Sequence, residues 1–213
     1  MTSNRPRTLV LVSGTGTGVG KTWWSSAMAR ALRSRGVSIA ARKPVQSFEP
    51  DDTMTDAVVL GAATGEDATA VCAPHRWYEV PMAPPMAAAA LGRPGFSIAD
   101  LVTELTWPAD IDVGLIESAG GPRSPLADDG DTVALATALT PDLIVLVADA
   151  GLGTINAVRL AHDAFGTLAP VVVVGLNRYD NALLLHRANR DWLEGDGYSV
   201  VTDPNALAGR LAS

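Results

Sequence analysis

Short aliphatic runs, each closed by glycine, proline or a charge, recur along this chain. Four of them stand out: Thr8–Ser13, Val113–Ile116, Leu143–Ala148 and Val171–Leu176. They are continuously apolar rather than alternating, as parallel strands covered on both faces are. Ser38–Arg42 and Tyr198–Val201 are weaker runs of the same kind. Helical patterns fall between them. Lys21–Ser34 stops at Gly36, and Ile98–Leu105 follows the capping residue Ser97. Thr132–Leu139, Ile155–Phe165 and Leu183–Leu193 complete the set. Strand–helix alternation at this spacing predicts an α/β fold with a mostly parallel, twisted sheet and helices on both faces.

Residues 51–96 break the rhythm. Pro74, Pro81, Pro84, Pro85 and Pro94 and the alanine run Ala87–Ala90 predict loops and short helices passing over the sheet. Excursions of this kind often carry binding functions. No internal repeat, linker or low-complexity tail divides the chain, so one domain over residues 1–213 is the simplest organisation.

Composition narrows the classes. With 213 residues, 47% of them hydrophobic, the chain can bury a full core. A net charge of −7 without a strong Lys/Arg cluster argues against nucleic-acid binding. Arg30–Arg35 recurs at helical spacing and reads as a solvated face. Cys72 is the single cysteine. It permits no disulfide within the chain and no cysteine metal site, and it reads as a buried or incidental thiol. The start, Met1-Thr-Ser-Asn-Arg-Pro-Arg7, is short and polar and predicts no signal peptide. No apolar stretch approaches a membrane span. A cytoplasmic location is the expectation.

The chemistry starts after the first strand. Gly14-Thr-Gly-Thr-Gly-Val-Gly-Lys-Thr22 joins that strand to a helix, the order a phosphate-binding P-loop requires. Glycines let successive N–H groups turn inward on an anion, and the helix adds its positive end. Lys21 is placed to reach β- and γ-phosphates, and the Thr22 hydroxyl to ligate Mg²⁺. The strict pattern wants glycine at position 15, where Thr15 stands, with Gly14 one residue early. The alternative is a glycine-rich turn that merely caps a helix.

Ligands of open α/β sheets gather at the carboxyl ends of strands. There the chain places Lys43-Pro-Val-Gln-Ser47, Glu117-Ser-Ala-Gly-Gly121, Asp149-Ala-Gly-Leu-Gly-Thr-Ile-Asn156 and Asn177-Arg-Tyr-Asp180. Glu117 ends an apolar strand, where an unpaired carboxylate is expensive to bury. A divalent metal beside phosphates would resolve that cost. Asp56 is the second candidate carboxylate, with Asp51 and Asp52 as competitors and a solvated acidic loop as the plain reading. Lys43 is a candidate second cation over the phosphates or a developing oxyanion, against a surface lysine. Two lysines and a metal suit phosphoryl transfer. His75, His162 and His186 show no ligand spacing and read as incidental.

The loop, Lys43-Pro-Val-Gln-Ser47, Asp56, Ala83-Pro84, Glu117-x-Ala-Gly-Gly121, Gly151-Leu-Gly-Thr-Ile-Asn156, Asn177 and the late segment His186–Leu193 occur in this order over nearly the whole chain. Together they resemble the dethiobiotin synthetase family, including the extra loop residue. The resemblance implies a P-loop NTPase-like homodimer that uses ATP and Mg²⁺. Its substrates are 7,8-diaminopelargonic acid and CO₂ or bicarbonate. A carbamate forms, ATP phosphorylates it, and the second amine closes a cyclic urea. The resemblance also implies roles. Loop residues Gly16, Thr17, Gly18, Val19, Gly20, Lys21 and Thr22 hold the nucleotide, with Asn177 at the base. Thr22, Asp56 and Glu117 ligate Mg²⁺. Lys43 and Ser47 stabilise the carbamate and the transferring phosphoryl. Thr17 lies near the reacting groups and Pro84 beside the substrate. Gly153, Thr154, Ile155 and Asn156, from the partner subunit, hold the substrate's tail carboxylate at a helix start.

The chain departs from the family pattern in places. Ser118 follows Glu117 where glycine is usual and is expected to narrow the space beside the metal. Phe48 replaces a frequent glycine, Pro85 a frequent histidine, and Trp23-Trp24 opens the first helix. Asp128–Asp131 follows a Pro-Arg-Ser-Pro stretch without a family counterpart. These keep open a paralogous carboligase or amidoligase acting on another amine. Asn177-Arg-Tyr-Asp180 resembles the guanine-reading motif of small GTPases and keeps GTP open beside ATP. A partitioning or site-selecting switch ATPase would carry a lysine five residues before Lys21, where Gly16 stands. Such ATPases also often end in a membrane-binding helix, and Asn205–Ser213 has Arg210 as its one cation.

Overall fold

The aliphatic runs form a six-stranded, wholly parallel sheet in the computed structural model, which describes residues 5–166, 168 and 171–212. The expectations for the polar N-terminal tail and for Asn205–Ser213 fall in part on residues 1–4 and 213, outside the described residues.

In chain order, β1 (Thr8–Gly14) leads through the loop to α1 (Lys21–Ser34), β2 (Ile39–Arg42) and the two-residue β3 (Gln46–Ser47). Next come α2 (Asp56–Thr64), α3 (Ala68–Val71), β4 (Trp77–Tyr78), α4 (Pro84–Ala90) and α5 (Ile98–Glu104). β5 (Val113–Glu117) precedes a small ribbon of β6 (Pro125–Ala127) and β7 (Gly130–Asp131), then α6 (Thr132–Leu139). The chain finishes with β8 (Leu143–Asp149), α7 (Thr154–Phe165), β9 (Val172–Asn177), α8 (Leu184–Gly195), β10 (Ser199–Val201) and α9 (Pro204–Leu211). Strand order in the main sheet is β10-β9-β8-β1-β5-β2. β1 therefore sits centrally, with β5 on one side and β8 on the other.

Each central strand feeds two cores. Val10 and Val12 point into a cluster with Trp24, Met28 and Leu32 of α1, while Leu9 and Leu11 point into the opposite cluster with Leu135, Ile144 and Phe165. Each fully buried aliphatic side chain contributes roughly 1.5–3 kcal/mol over exposure, which is why these runs hold the centre. Trp24, Met28, Ala31 and Leu32 are buried at helical spacing, and Arg30, Arg33 and Arg35 lie on the solvent side as expected. The Ser97 cap forms a full capping box with Asp100.

The structure corrects the reading of residues 51–96. This segment does contain short helices, but α2 is part of the core rather than a cover over it. Ala57, Leu60 and Ala63 are fully buried in the cluster beneath α1. The Asp128–Asp131 stretch also gains a structural account. Asp128 accepts from Phe96 N at 3.0 Å, Asp129 from Ile98 N at 2.8 Å, and Asp131 caps α6 through Ala134 N at 3.0 Å.

Candidate functional site

Parallel register brings the polar strand ends to one edge. Glu117 is paired with Val12, so it stands beside the root of the loop, and Asp149 is paired with Asn177. The loop leaves β1 with Thr15 N donating to Val147 O at 2.9 Å. Gly14 fills the place where a Cβ would meet Val19 Cγ2 at 2.7 Å, so the early glycine is the one the packing demands. Gly20 caps α1 at φ +96°, and a Cβ there would strike Asn177 Nδ2 at 1.9 Å. Only glycine fits that backbone and that contact.

Four side chains from four elements converge above this loop. The Thr22 hydroxyl shares its proton between Asp56 Oδ1 at 2.6 Å and Glu117 Oε1 at 2.9 Å. Lys43 Nζ lies 2.6 Å from Asp56 Oδ2 and 2.9 Å from Glu117 Oε1, and donates to Ser118 O at 3.1 Å. Lys43 is 2% exposed and Glu117 is fully buried. Burial opposes the charge on Lys43, but Asp56 and Glu117 outweigh it and hold the ammonium above its ordinary range. Asp56 is pushed up by burial and pulled further down by Lys43, Thr22 and Lys21, so its carboxyl stays below the usual range. Lys21 crosses the loop to Gly16 O at 3.0 Å. Burial, with the nearby charge of Lys43, lowers Lys21 to about 8.

The oxygens fit a hard divalent cation. Mg²⁺ ligands lie about 2.1 Å from the ion, so neighbouring octahedral oxygens are roughly 2.9 Å apart. Thr22, Asp56 and Glu117 oxygens already stand at 2.6 and 2.9 Å. Glu117 Oε2 is buried with no hydrogen-bond partner, which such an ion would relieve. No cluster of three His, Cys, Asp or Glu residues occurs among the described residues. A P-loop site needs none, because its hydroxyl and the phosphates complete the shell.

A cavity of about 510 Å³ opens beside these groups. Of the residues expected at the site, Thr17, Gly18, Gly20, Lys21, Thr22, Lys43, Ser47, Asp56 and Pro84 line it. Ser47 donates to Met82 O at 2.6 Å across its wall. Glu117 reaches the site from below through Thr22 and Lys43. Gly16 lies instead on a second cavity of about 350 Å³, and Val19 on neither. Asp51 and Asp52 are exposed and make no contact with the site, which leaves Asp56 as the second carboxylate. Gly120, one of the glycines placed to let backbone approach a ligand, lines the cavity, and so do Gln46, Met82 and Ser124, which were not expected there. Gln46 stood inside the lysine motif and was findable; Ser124 lay in a stretch that carried no signal.

The family model that matches the chain is described as an AAA domain and spans residues 8–201. An ATP-dependent dethiobiotin synthetase of Rhodococcus jostii is 38% identical over 211 residues, covering 96% of this chain and 89% of its own. Its counterparts in Haloferax mediterranei and Corynebacterium efficiens are 37% and 38% identical, over 91% and 79% of this chain and 82% and 74% of theirs. The chain belongs to the dethiobiotin synthetase family. Among solved structures, an ADP-bound nucleotide-binding protein of Archaeoglobus fulgidus aligns with TM-score 0.52 at 12% identity, over 97% of this chain and 85% of that one. The signal recognition particle receptor of Elizabethkingia anophelis aligns with TM-score 0.50 at 14% identity, over 98% and 66%. These likenesses carry the fold alone, that of P-loop nucleotide-binding proteins.

Three departures from the dethiobiotin synthetase pattern lie away from the cavity wall. Ser118 is fully buried, contributes its carbonyl to Lys43 and does not line the cavity. Phe48 packs edge-on against Trp77 with ring centroids 6.2 Å apart. Pro85 sits in the first turn of α4. Asn177, expected at the base, donates to Val19 O at 2.9 Å and props the loop. Asp180 Oδ1 accepts from Ala182 N at 2.8 Å. Gly153–Asn156 start α7 outside the cavity, with Thr154 Oγ1 buried and unpartnered. No helix among the described residues is long and apolar enough to cross a membrane.

Proposed function

We propose that this chain closes the ureido ring of dethiobiotin from 7,8-diaminopelargonic acid, CO₂ and ATP. The carrying observation is the convergence of Thr22, Lys43, Asp56 and Glu117 on the phosphate loop, beside a cavity of about 510 Å³. One amine of the substrate takes up CO₂ and loses a proton, giving a carbamate. The carbamate oxygen attacks the γ-phosphorus of ATP, and ADP leaves. The second amine then attacks the carbonyl carbon and gives up a proton, the C–O bond to phosphate breaks, and the ring closes with release of phosphate.

Each step has a residue suited to it. Lys21 and the loop N–H groups hold the phosphates. Thr22, Asp56 and Glu117 would hold Mg²⁺, which supplies charge neutralisation between the phosphates when bound. Lys43 supplies a second cation at the transferring group and stabilises its charge. Ser47 offers its hydroxyl to the carbamate in place of the Met82 carbonyl. Gly153–Asn156 serve the tail carboxylate of a substrate in a partner subunit, in a homodimer located in the cytoplasm. ATP is the nucleotide that the relatives' name carries.

The test is incubation with diaminopelargonate, bicarbonate, ATP and Mg²⁺, following phosphate and dethiobiotin mass together. Stoichiometric release of both is expected. No phosphate above background overturns the proposal. Phosphate release with a different amine alone would make the chain a paralogous ligase, a reading that Ser118, Phe48 and Pro85 no longer support from the cavity wall.

A further inference from the structure

The helix that carries Asp56 has no cap of its own. Thr55 occupies the cap position of α2, yet its side chain makes no capping hydrogen bond. The missing partner comes from another element. Gln46 of β3 is 2% exposed, its Oε1 accepts from Ala57 N at 3.0 Å, and its Nε2 donates to Thr55 Oγ1 at 3.4 Å. The two contacts fall on the residues either side of Asp56. A primary amide can make both, because it offers acceptor and donor together. A helix-start N–H buried without a partner costs about 1–3 kcal/mol, so the first turn of α2 depends on this bond.

Asp56 itself must be held closely. Its two oxygens meet Thr22 at 2.6 Å and Lys43 at 2.6 Å, and functional groups need placement within about 0.5 Å. Gln46 also lines the cavity, so it ties the cavity wall to the carboxylate. We propose that Gln46 is a positioning residue, setting Asp56 for the metal-bearing nucleotide through the start of α2. The inference rests on the assignment of Asp56 to Mg²⁺.

The test is ADP affinity by calorimetry, with Mg²⁺ and with EDTA, for wild type, Asp56→Asn, Gln46→Leu, Gln46→Asn and Gln46→Glu. Amide hydrogen exchange at Ala57 is read alongside, without metal. Wild type is expected to bind more tightly with Mg²⁺. Gln46→Leu should shrink that gain about tenfold, the low end for supporting residues of a metal site, with affinity in EDTA unchanged. Gln46→Asn, too short to reach, should behave alike if the leucine variant fails to fold. Gln46→Glu keeps the acceptor and should recover most of the gain. Ala57 should exchange faster in the leucine and asparagine variants only.

Two results overturn the positioning role alone. One is a Mg²⁺ gain lost in Asp56→Asn but intact in Gln46→Leu and Gln46→Asn. The other is an equal loss of affinity with and without metal in the Gln46 variants. A full gain in Asp56→Asn would instead remove the metal assignment, and the inference with it.

Discussion

Lys43 Nζ stands 2.9 Å from Glu117 Oε1 in a site where neither side chain meets solvent. The pair joins the ends of β2 and β5, neighbours in the sheet. Removing one partner of a buried pair strands the other, at about 3–5 kcal/mol. Lys43→Ala is therefore expected to lower stability by that order in urea unfolding and to lose most kcat. The double variant Lys43→Met/Glu117→Leu should regain most of the stability and none of the activity. Full kcat in Lys43→Ala would remove Lys43 from the transition state.

Lys21 makes nucleotide binding sensitive to alkali. Its free ammonium titrates at about 8, lowered chiefly by burial, and bound phosphates would raise that value. Below pH 8 the lysine is charged before and after binding, so affinity is flat. Above it, binding must take up a proton, and affinity falls as pH rises, by up to tenfold per unit. Calorimetry of ADP in buffers of differing ionisation enthalpy should record proton uptake at pH 9 and little at pH 7. Lys21→Met should abolish the difference, and a pH-independent Kd in wild type from 7 to 9.5 would contradict the lowered value.

Asn177 links the end of β9 to the loop. Its amide donates to Val19 O and fills the space above Gly20. Asn177→Ala should weaken ADP binding with or without Mg²⁺ and leave the preference between ATP and GTP unchanged. A changed base preference in competition binding would return Asn177 to the role of base reader.

The strands and the phosphate loop were legible because burial on both faces writes an uninterrupted apolar run, and a phosphate cradle requires glycines before a lysine. α2 was not legible. Ala57-Val-Val-Leu-Gly-Ala-Ala63 is apolar all round, so it carries no 3.6-residue period, and prolines nearby read as loop. α9 did carry a start signal, Asp203 as cap before Pro204, and was missed nonetheless. Asp56 could not be separated from Asp51 and Asp52 by spacing, because Thr22 and Glu117, which select it, lie 34 and 61 residues away in the chain. The departures were legible as residues and misjudged as positions. Ser118 follows β5 directly, yet it is fully buried and does not line the cavity.

That placement yields the last prediction. Ser118 and Phe48 do not line the cavity, so Ser118→Gly should leave KM for the amine and the choice among amines unchanged. Phe48→Gly should do the same, while losing the edge contact with Trp77. An aromatic pair of this kind contributes about 0.5–1.5 kcal/mol beyond area burial, so its removal should lower Tm measurably. Steady-state kinetics on a panel of diamines, run beside thermal unfolding, separates the two effects. A shift in amine preference in either variant would mean that these residues reach the substrate, and the paralogous reading would regain its ground.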